Sequence, residues 1–321
     1  MNRVMTQSRS RETFVISLLT LLMALGPVAA DELPPALQDL RDFYDSVETV
    51  HVRAEVEISI RAPLDQNHPA PVTGRGTIEH WESGRMFRTR ASLDPRLRLV
   101  EDLEIAMDGD SYQIRFTASD VLAVEEPDLS EDGLVQVPLP TPNPFYLPAL
   151  FLAPSDDRCP GCQMTLDYLG EPGRWTGAFS ALRSGWSQAE RLAVAGGERE
   201  GVPYGFELVT RGSELGAPAR ELSRIRRLRA DGTATASIEL SELEPVAGAE
   251  GRRFPRRIVL RALDPDASAG RELISVAEYR IEVLEVNGPL DAATFTLSPG
   301  EKTALWDRGT YRGRGRRQDR D

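Results

Sequence analysis

Apolar and polar residues alternate strictly over eleven residues shortly after the start of the chain. The apolar positions are Val50, Val52, Ala54, Val56, Ile58 and Ile60. A period of two residues places these side chains on one side of an extended strand, with polar and charged side chains on the other. The pattern therefore predicts a long strand that is buried on one face only.

The same alternation recurs in pairs of segments that are separated by short turns. Glu82-Ser83-Gly84-Arg85 lies between two such segments, and Asp108-Gly109-Asp110 separates Leu103, Ile105 and Met107 from Tyr112, Ile114 and Phe116. Further strands are predicted over 234–240 and 279–283. Consecutive hairpins with one apolar face are typical of an antiparallel sheet that is solvated on the other side. We therefore predict a mainly β protein.

Three segments follow a different pattern and are candidates to cover the apolar face, as such a sheet requires. Leu33–Val47 has apolar residues at helical spacing, with prolines in its first turn. Pro144–Leu152 is an apolar run that Pro148 interrupts, which favours only short helical turns. Ser180–Arg191 is predicted to form a second short helix.

The first thirty residues have the order of charges and apolar residues that is typical of a secretory signal peptide. Arg3, Arg9 and Arg11 precede the apolar segment Phe14–Leu25, and small residues follow up to Ala30. We predict that 1–30 is removed by cleavage after Ala30, and that the mature protein is periplasmic if the source is a Gram-negative bacterium. An uncleaved anchor is the alternative, although the apolar run is short for a bilayer.

The charge of the chain is distributed unevenly. The 321 residues carry a net charge of −12, whereas segments 1–30 and 308–321 carry +2 and +4, so that 31–307 carries −18. This acidic body argues against nucleic acid as a partner. The tail 308–321 contains six arginines and no apolar period, and we predict that it is disordered. It is either a solvated end or a contact for anionic lipid head groups or an acidic partner.

The chain lacks the sequence motifs of common catalytic sites. It has no nucleophile elbow, phosphate-binding loop, zinc-protease motif or dinucleotide fingerprint, and it contains only three histidines. We therefore predict no enzymatic activity, no cofactor and no metal site. A hydrolase with an unrecognised site remains an alternative.

Cys159-Pro160-Gly161-Cys162 is a compact group with three possible roles. A redox-active pair normally opens a helix within a βαβ unit, and a zinc site needs four ligands, yet the chain has only two cysteines. Pro-Gly is a favoured turn centre, and an exported protein meets an oxidising compartment. A structural disulfide between Cys159 and Cys162 is the prediction that these facts favour.

Four segments together resemble the bacterial outer-membrane lipoprotein carrier and receptor family of the Lol pathway. These segments are Gly76–Arg88, Ile105–Tyr112, Phe254–Ile258 and Val286–Phe295. The resemblance implies an unclosed antiparallel β-barrel, or half-barrel, covered by a few short α-helices over an apolar cavity. It implies that 31–307 is one such domain with a central insertion. It also implies that Arg88, or Arg90 if the register slips by one residue, latches the helical lid.

From the family resemblance and the apolar strand faces we predict a monomeric periplasmic protein that binds a lipid acyl chain or a lipoprotein. The alternative is a sensor or scaffold that binds an envelope protein, and the cavity can also be filled by the protein's own side chains. The predicted ligand-binding residues are Val52, Val56, Ile58, Arg88, Leu150, Phe151, Tyr279, Ile281 and Val283.

Overall fold

The computed structural model describes just over half of the chain. The described residues are 35–60, 71–97, 102–109, 111–116, 121–125, 143–152, 189–199, 202–211, 221–229, 233–263, 273–299 and 304–307. The predicted signal peptide, the Cys159–Cys162 disulfide and the predicted disordered tail lie outside these residues and stay predictions.

The thirteen strands in the described part of the chain belong to one sheet that does not close. The strands are β1 (Thr49–Ile60), β2 (Val72–Ser83), β3 (Met86–Leu93), β4 (Leu103–Met107), β5 (Tyr112–Phe116), β6 (Val121–Glu125), β7 (Ala189–Arg199), β8 (Val202–Arg211), β9 (Glu221–Arg229), β10 (Ala234–Val246), β11 (Ala249–Leu263), β12 (Leu273–Val286) and β13 (Ala304–Asp307). Their order is β13-β6-β5-β4-β3-β2-β1-β12-β11-β10-β9-β8-β7, with β13 and β7 at the two edges. Every pairing is antiparallel except that of β13 with β6. The predicted unclosed antiparallel sheet is confirmed.

Two short α-helices pack on one face of this sheet, which we call the inner face. They are α1 (Pro35–Asp45) and α2 (Leu147–Leu152). Pro148 is the second residue of α2, where a missing N–H breaks no hydrogen bond, so it helps to start this helix rather than interrupting it. The predicted helix Ser180–Arg191 is wrong at its end, because Ala189 already belongs to β7. No helix in the described ranges is long and apolar enough to cross a membrane.

The hydrophobic core lies between the inner face and the two helices. Aromatic rings of both helical segments and of β11 meet at its centre: the rings of Tyr44 and Phe145 are 5.0 Å apart, and those of Phe145 and Phe254 are 5.5 Å apart. The Tyr44 hydroxyl donates a 2.6 Å hydrogen bond to the Phe145 carbonyl oxygen, which joins α1 to the segment before α2. The helices are therefore fixed to each other as well as to the sheet.

A bulge in β12 changes which of its side chains face the core. Tyr279 pairs with Val56 and Ile281 with Ala54, but the register then shifts, so that Leu284 rather than Val283 points inward. Val283 lies opposite Arg53 and is half-buried. The prediction that Val283 shares the apolar face with Tyr279 is therefore wrong, because strict alternation does not anticipate a bulge.

The segment after β12 crosses the opposite face of the sheet, which we call the outer face. It forms a short 3-10 turn, Ala292–Phe295, which Asp291 caps. Phe295 is fully buried there, and Leu297 packs on Ala106 and Leu122. We call residues 288–299 the strap. Beyond it, β13 adds to the sheet edge beside β6.

Candidate functional site

Most of the predicted ligand-binding residues lie together on the inner face, but they are packed. Val52, Val56, Ile58, Phe151, Tyr279 and Ile281 belong to the main core cluster, and Leu150 is also buried. Burial raises the pKa of the Tyr279 hydroxyl above its ordinary value. With both helices in place, this part of the inner face is filled by the protein's own side chains.

Arg88 does not latch the helices, because it lies on the outer face. Its neighbours in β3, Phe87 and Thr89, are buried and face inward, so alternation directs Arg88 away from α2. The guanidinium donates a 3.0 Å hydrogen bond to the carbonyl oxygen of Thr294, in the strap. Arg90 is on the same face. The predicted lid latch is wrong for both residues.

Arg88 belongs to a cluster, the outer clamp, that consists of Glu104, Arg88, Arg90 and Arg115. The Glu104 carboxylate is buried and pairs with all three guanidiniums. Arg115 also donates to the carbonyl oxygen of Ser298. Burial alone raises the pKa of Glu104, but hydrogen bonds and charge from Arg88 and Arg90 outweigh it, so the pKa lies below its ordinary value. The buried carboxylate thus orients two arginines that hold the strap.

The arginine that contacts the helical cover is Arg227, in β9. Its guanidinium donates a 3.0 Å hydrogen bond to the carbonyl oxygen of Phe151, near the end of α2. The same group lies 5.5 Å from the Phe151 ring centre and 5.7 Å from that of Phe206. Carbonyl groups in the last turn of a helix lack intrahelical partners, so a cation is well placed there. Arg227 therefore ties α2 to the inner face.

A row of interacting polar side chains, the polar row, crosses the inner face beside α2. His80 is buried, with Nδ1 2.7 Å from the Thr89 hydroxyl and Nε2 3.1 Å from the Glu82 carboxylate. Burial, together with the negative charge of Glu82, raises the pKa of Tyr146 well above its ordinary value. Tyr146 precedes α2 directly. The polar row thus connects β3 and β2 to the start of α2, which together with α1 forms the helical cover of the inner face.

An apolar pocket of about 200 Å³ opens beside α1. It lies between the helices and strands β9 to β11. Its apolar lining includes Leu40, Phe43, Pro148, Leu222, Leu240 and Phe254. Its charged lining residues are Arg252, Arg253, Asp39 and Glu221. The pocket is therefore open to solvent, with an apolar lining and charged side chains beside it.

A larger cleft of about 630 Å³ lies over β1, β2 and β12. Its lining includes Glu57, Arg75, Glu278 and Arg280, which pair with each other or with neighbouring charges. Charged walls of this kind do not suit an acyl chain, because the paired charges would lose solvent without compensation. We therefore regard the smaller pocket as the candidate site.

Sequence reasoning missed both Arg227 and the pocket. Ile225 is buried, so strict alternation places Arg227 on the inner face as well. In sequence, however, Arg227 is one of four arginines within residues 223–229, and nothing distinguishes it from the others. The pocket residues come from α1, α2 and three strands, so that only the folded chain brings them together. Among the described residues, no group of three or more histidine, cysteine, aspartate or glutamate side chains is placed to hold a metal ion.

No family model and no curated protein matches this chain. Among solved structures, a provisionally named outer membrane lipoprotein-sorting protein domain from Vibrio parahaemolyticus matches with a TM-score of 0.42 and 9% identity, over 82% of this chain and 95% of that one. A DUF1329 family protein from Desulfovibrio piger matches with a TM-score of 0.42 and 11% identity, over 84% and 97%. A LolA superfamily protein from Nitrosomonas europaea matches with a TM-score of 0.38 and 12% identity, over 81% of this chain and 97% of that one. Two of these three structures are named for lipoprotein sorting or for the LolA superfamily.

Proposed function

We propose that this protein binds the acyl chain of a lipid or lipidated protein between its inner face and its two helices. The observation that carries the proposal is the apolar pocket beside α1, which is open to solvent and is lined by core residues such as Phe43 and Phe254. Each methylene group that leaves water contributes about 0.8 kcal/mol, so a chain segment in this pocket gains binding energy without any specific polar contact.

The construction of the cover supports this proposal. The helix α2 has only six residues, and a hydrogen bond from Arg227 to the Phe151 carbonyl oxygen ties its end to the sheet. All six residues are buried, so a ligand that displaces this helix must replace the apolar contacts that they make. When α2 moves aside, a chain that has entered beside α1 reaches the predicted residues Val56 and Tyr279.

Titration with a fluorescent fatty-acid analogue tests the proposal. Leu243 lines the pocket and is half-buried, so Leu243→Glu places a charge in the chain's path without opening the central core. We expect saturable binding to the wild type and an affinity at least about tenfold lower for Leu243→Glu. Val124→Glu is the matched control, because Val124 is exposed on the far side of the sheet, in β6.

Competition by a series of unlabelled acids from octanoate to hexadecanoate then tests whether α2 opens. Each added methylene that is buried raises the affinity about fourfold. We expect the affinity to go on rising with chain length beyond the length that the closed pocket holds, because α2 then opens. In Arg227→Met, α2 is held less firmly, so we expect it to open for shorter chains. The absence of saturable wild-type binding, or equal binding by Leu243→Glu, would contradict the proposed function.

A further inference from the structure

The lining of the pocket includes an arginine that forms no ion pair with any described residue. Arg252 is half-buried in the pocket lining, and among the residues that the structure describes its side chain makes no hydrogen bond or ion pair. A guanidinium that is partly removed from water without a partner is unfavourable. Its position at the edge of an apolar space is therefore unusual unless a ligand supplies the partner.

The neighbouring arginine in the pocket lining, Arg253, does have a partner. Arg253 donates a 3.0 Å hydrogen bond to the carboxylate of Glu221 and a 2.6 Å hydrogen bond to the Leu243 carbonyl oxygen, so its charge is compensated and its position is fixed. Asp39, on α1, is the remaining acidic group of the lining. Arg252 is thus the cation of the lining that can receive a new anion.

We infer that the ligand is an amphiphile with one acyl chain in the pocket and an anionic head group, a carboxylate or a phosphate, on Arg252. This inference rests on the proposed function and specifies the ligand class of the same site. The planar guanidinium presents a fork of donors that matches both kinds of anion. The apolar lining receives the chain, while the head group stays at the rim, where solvent hydrates its remaining oxygen atoms.

Four ligands of equal chain length separate the contributions of head group and chain. We would measure competition by dodecanoate, dodecyl phosphate, dodecanol and dodecylamine against the fluorescent analogue, for the wild type and for Arg252→Gln, below micellar concentrations. Hydrogen bonds to a charged group predict that the wild type binds dodecanoate or dodecyl phosphate at least about tenfold more tightly than dodecanol. In Arg252→Gln this preference should fall below about threefold, with dodecanol binding unchanged.

Two controls make the outcome specific. Arg280→Gln removes an arginine that pairs with Glu278 on the far side of β12, and it should keep the full preference for the anionic ligands. Acetate and inorganic phosphate carry the anion without a chain, and they should not compete. Competition by either of them at ligand concentrations would overturn the inference, since a free anion would then be the ligand.

The failure of the inference is distinguishable from the failure of the proposed function. If dodecanol or dodecylamine binds the wild type as tightly as dodecanoate and dodecyl phosphate, Arg252 selects no anion and the inference is wrong, while acyl binding stands. If Arg252→Gln keeps the preference, Arg252 is not the head-group site and the inference is also wrong. If no ligand of the four binds, both proposals fail together.

Discussion

Replacing Glu104 by glutamine tests whether the outer clamp holds the strap on the sheet. The change leaves Arg88 and Arg115 without a carboxylate, although their side chains keep only 20% and 22% of their surface in solvent. Breaking a buried ion pair by removing one partner costs about 3–5 kcal/mol. Because these arginines are partly hydrated and keep their carbonyl acceptors in the strap, we expect Glu104→Gln to lower the free energy of unfolding by about 2–3 kcal/mol.

Urea denaturation followed by circular dichroism measures this loss. The matched control is Glu278→Gln, because Glu278 pairs with Arg257 in a similar way but both side chains are more exposed. That control should cost less than about 1 kcal/mol, as exposed ion pairs usually do. A loss for Glu104→Gln no larger than that of the control would refute the argument that burial makes the clamp strong.

Because the pKa of Glu104 is lowered in the folded protein, the stabilisation by the outer clamp depends on pH. A carboxylate whose pKa is lower in the folded protein stabilises the fold fully above its ordinary pKa, about 4.3, and loses that contribution as the pH falls through the lowered value. The difference in stability between wild type and Glu104→Gln should therefore be largest near neutral pH and should shrink below about pH 4.

Two further substitutions test local features of the fold. Gly248 has a φ of +85°, and a Cβ there would lie 1.6 Å from the Val286 carbonyl oxygen, whereas Gly251, with a φ of +73°, has open space around it. Thermal denaturation should show a loss of more than about 3 kcal/mol for Gly248→Ala and about 1 kcal/mol for Gly251→Ala, and equal losses would contradict the role of the close approach. Tyr44→Phe leaves the buried Phe145 carbonyl without its 2.6 Å donor and should cost about 1–3 kcal/mol by urea denaturation, whereas an unchanged midpoint would show that this hydrogen bond does not hold α1.

The period-two pattern was sufficient to predict the strands that carry it. It located β1 and the two hairpins, and Leu103, Ile105 and Met107 pair with Phe116, Ile114 and Tyr112 as expected. These predictions succeed because alternation and turn chemistry are local properties. The family resemblance and the strand pattern together gave the unclosed sheet with its short helical cover.

Features that depend on distant parts of the chain could not be predicted in this way. The partners of Arg88 in the outer clamp and the strap are Glu104 and Thr294, and Thr294 lies 206 residues away in sequence. Strand β13 is only four residues long and pairs in parallel with β6, which local patterning does not indicate. The bulge beside Val283 is likewise set by pairing with β1, and not by β12 alone.

The inner face is filled by side chains, yet it can still bind the proposed ligand if burying the acyl chain gains as much free energy as moving α2 costs. Exposing the four large apolar side chains of α2, which are Leu147, Leu150, Phe151 and Leu152, costs about 2 kcal/mol for each, and the hydrogen bond from Arg227 adds about 2 kcal/mol. The sum, about 10 kcal/mol, equals the gain from burying roughly twelve methylene groups. Under the proposed function, a chain shorter than this would stay in the pocket beside α1, whereas a longer one would provide enough energy to displace α2. The proposal thus predicts that the helical cover is closed without ligand and that the length of the acyl chain decides whether it opens.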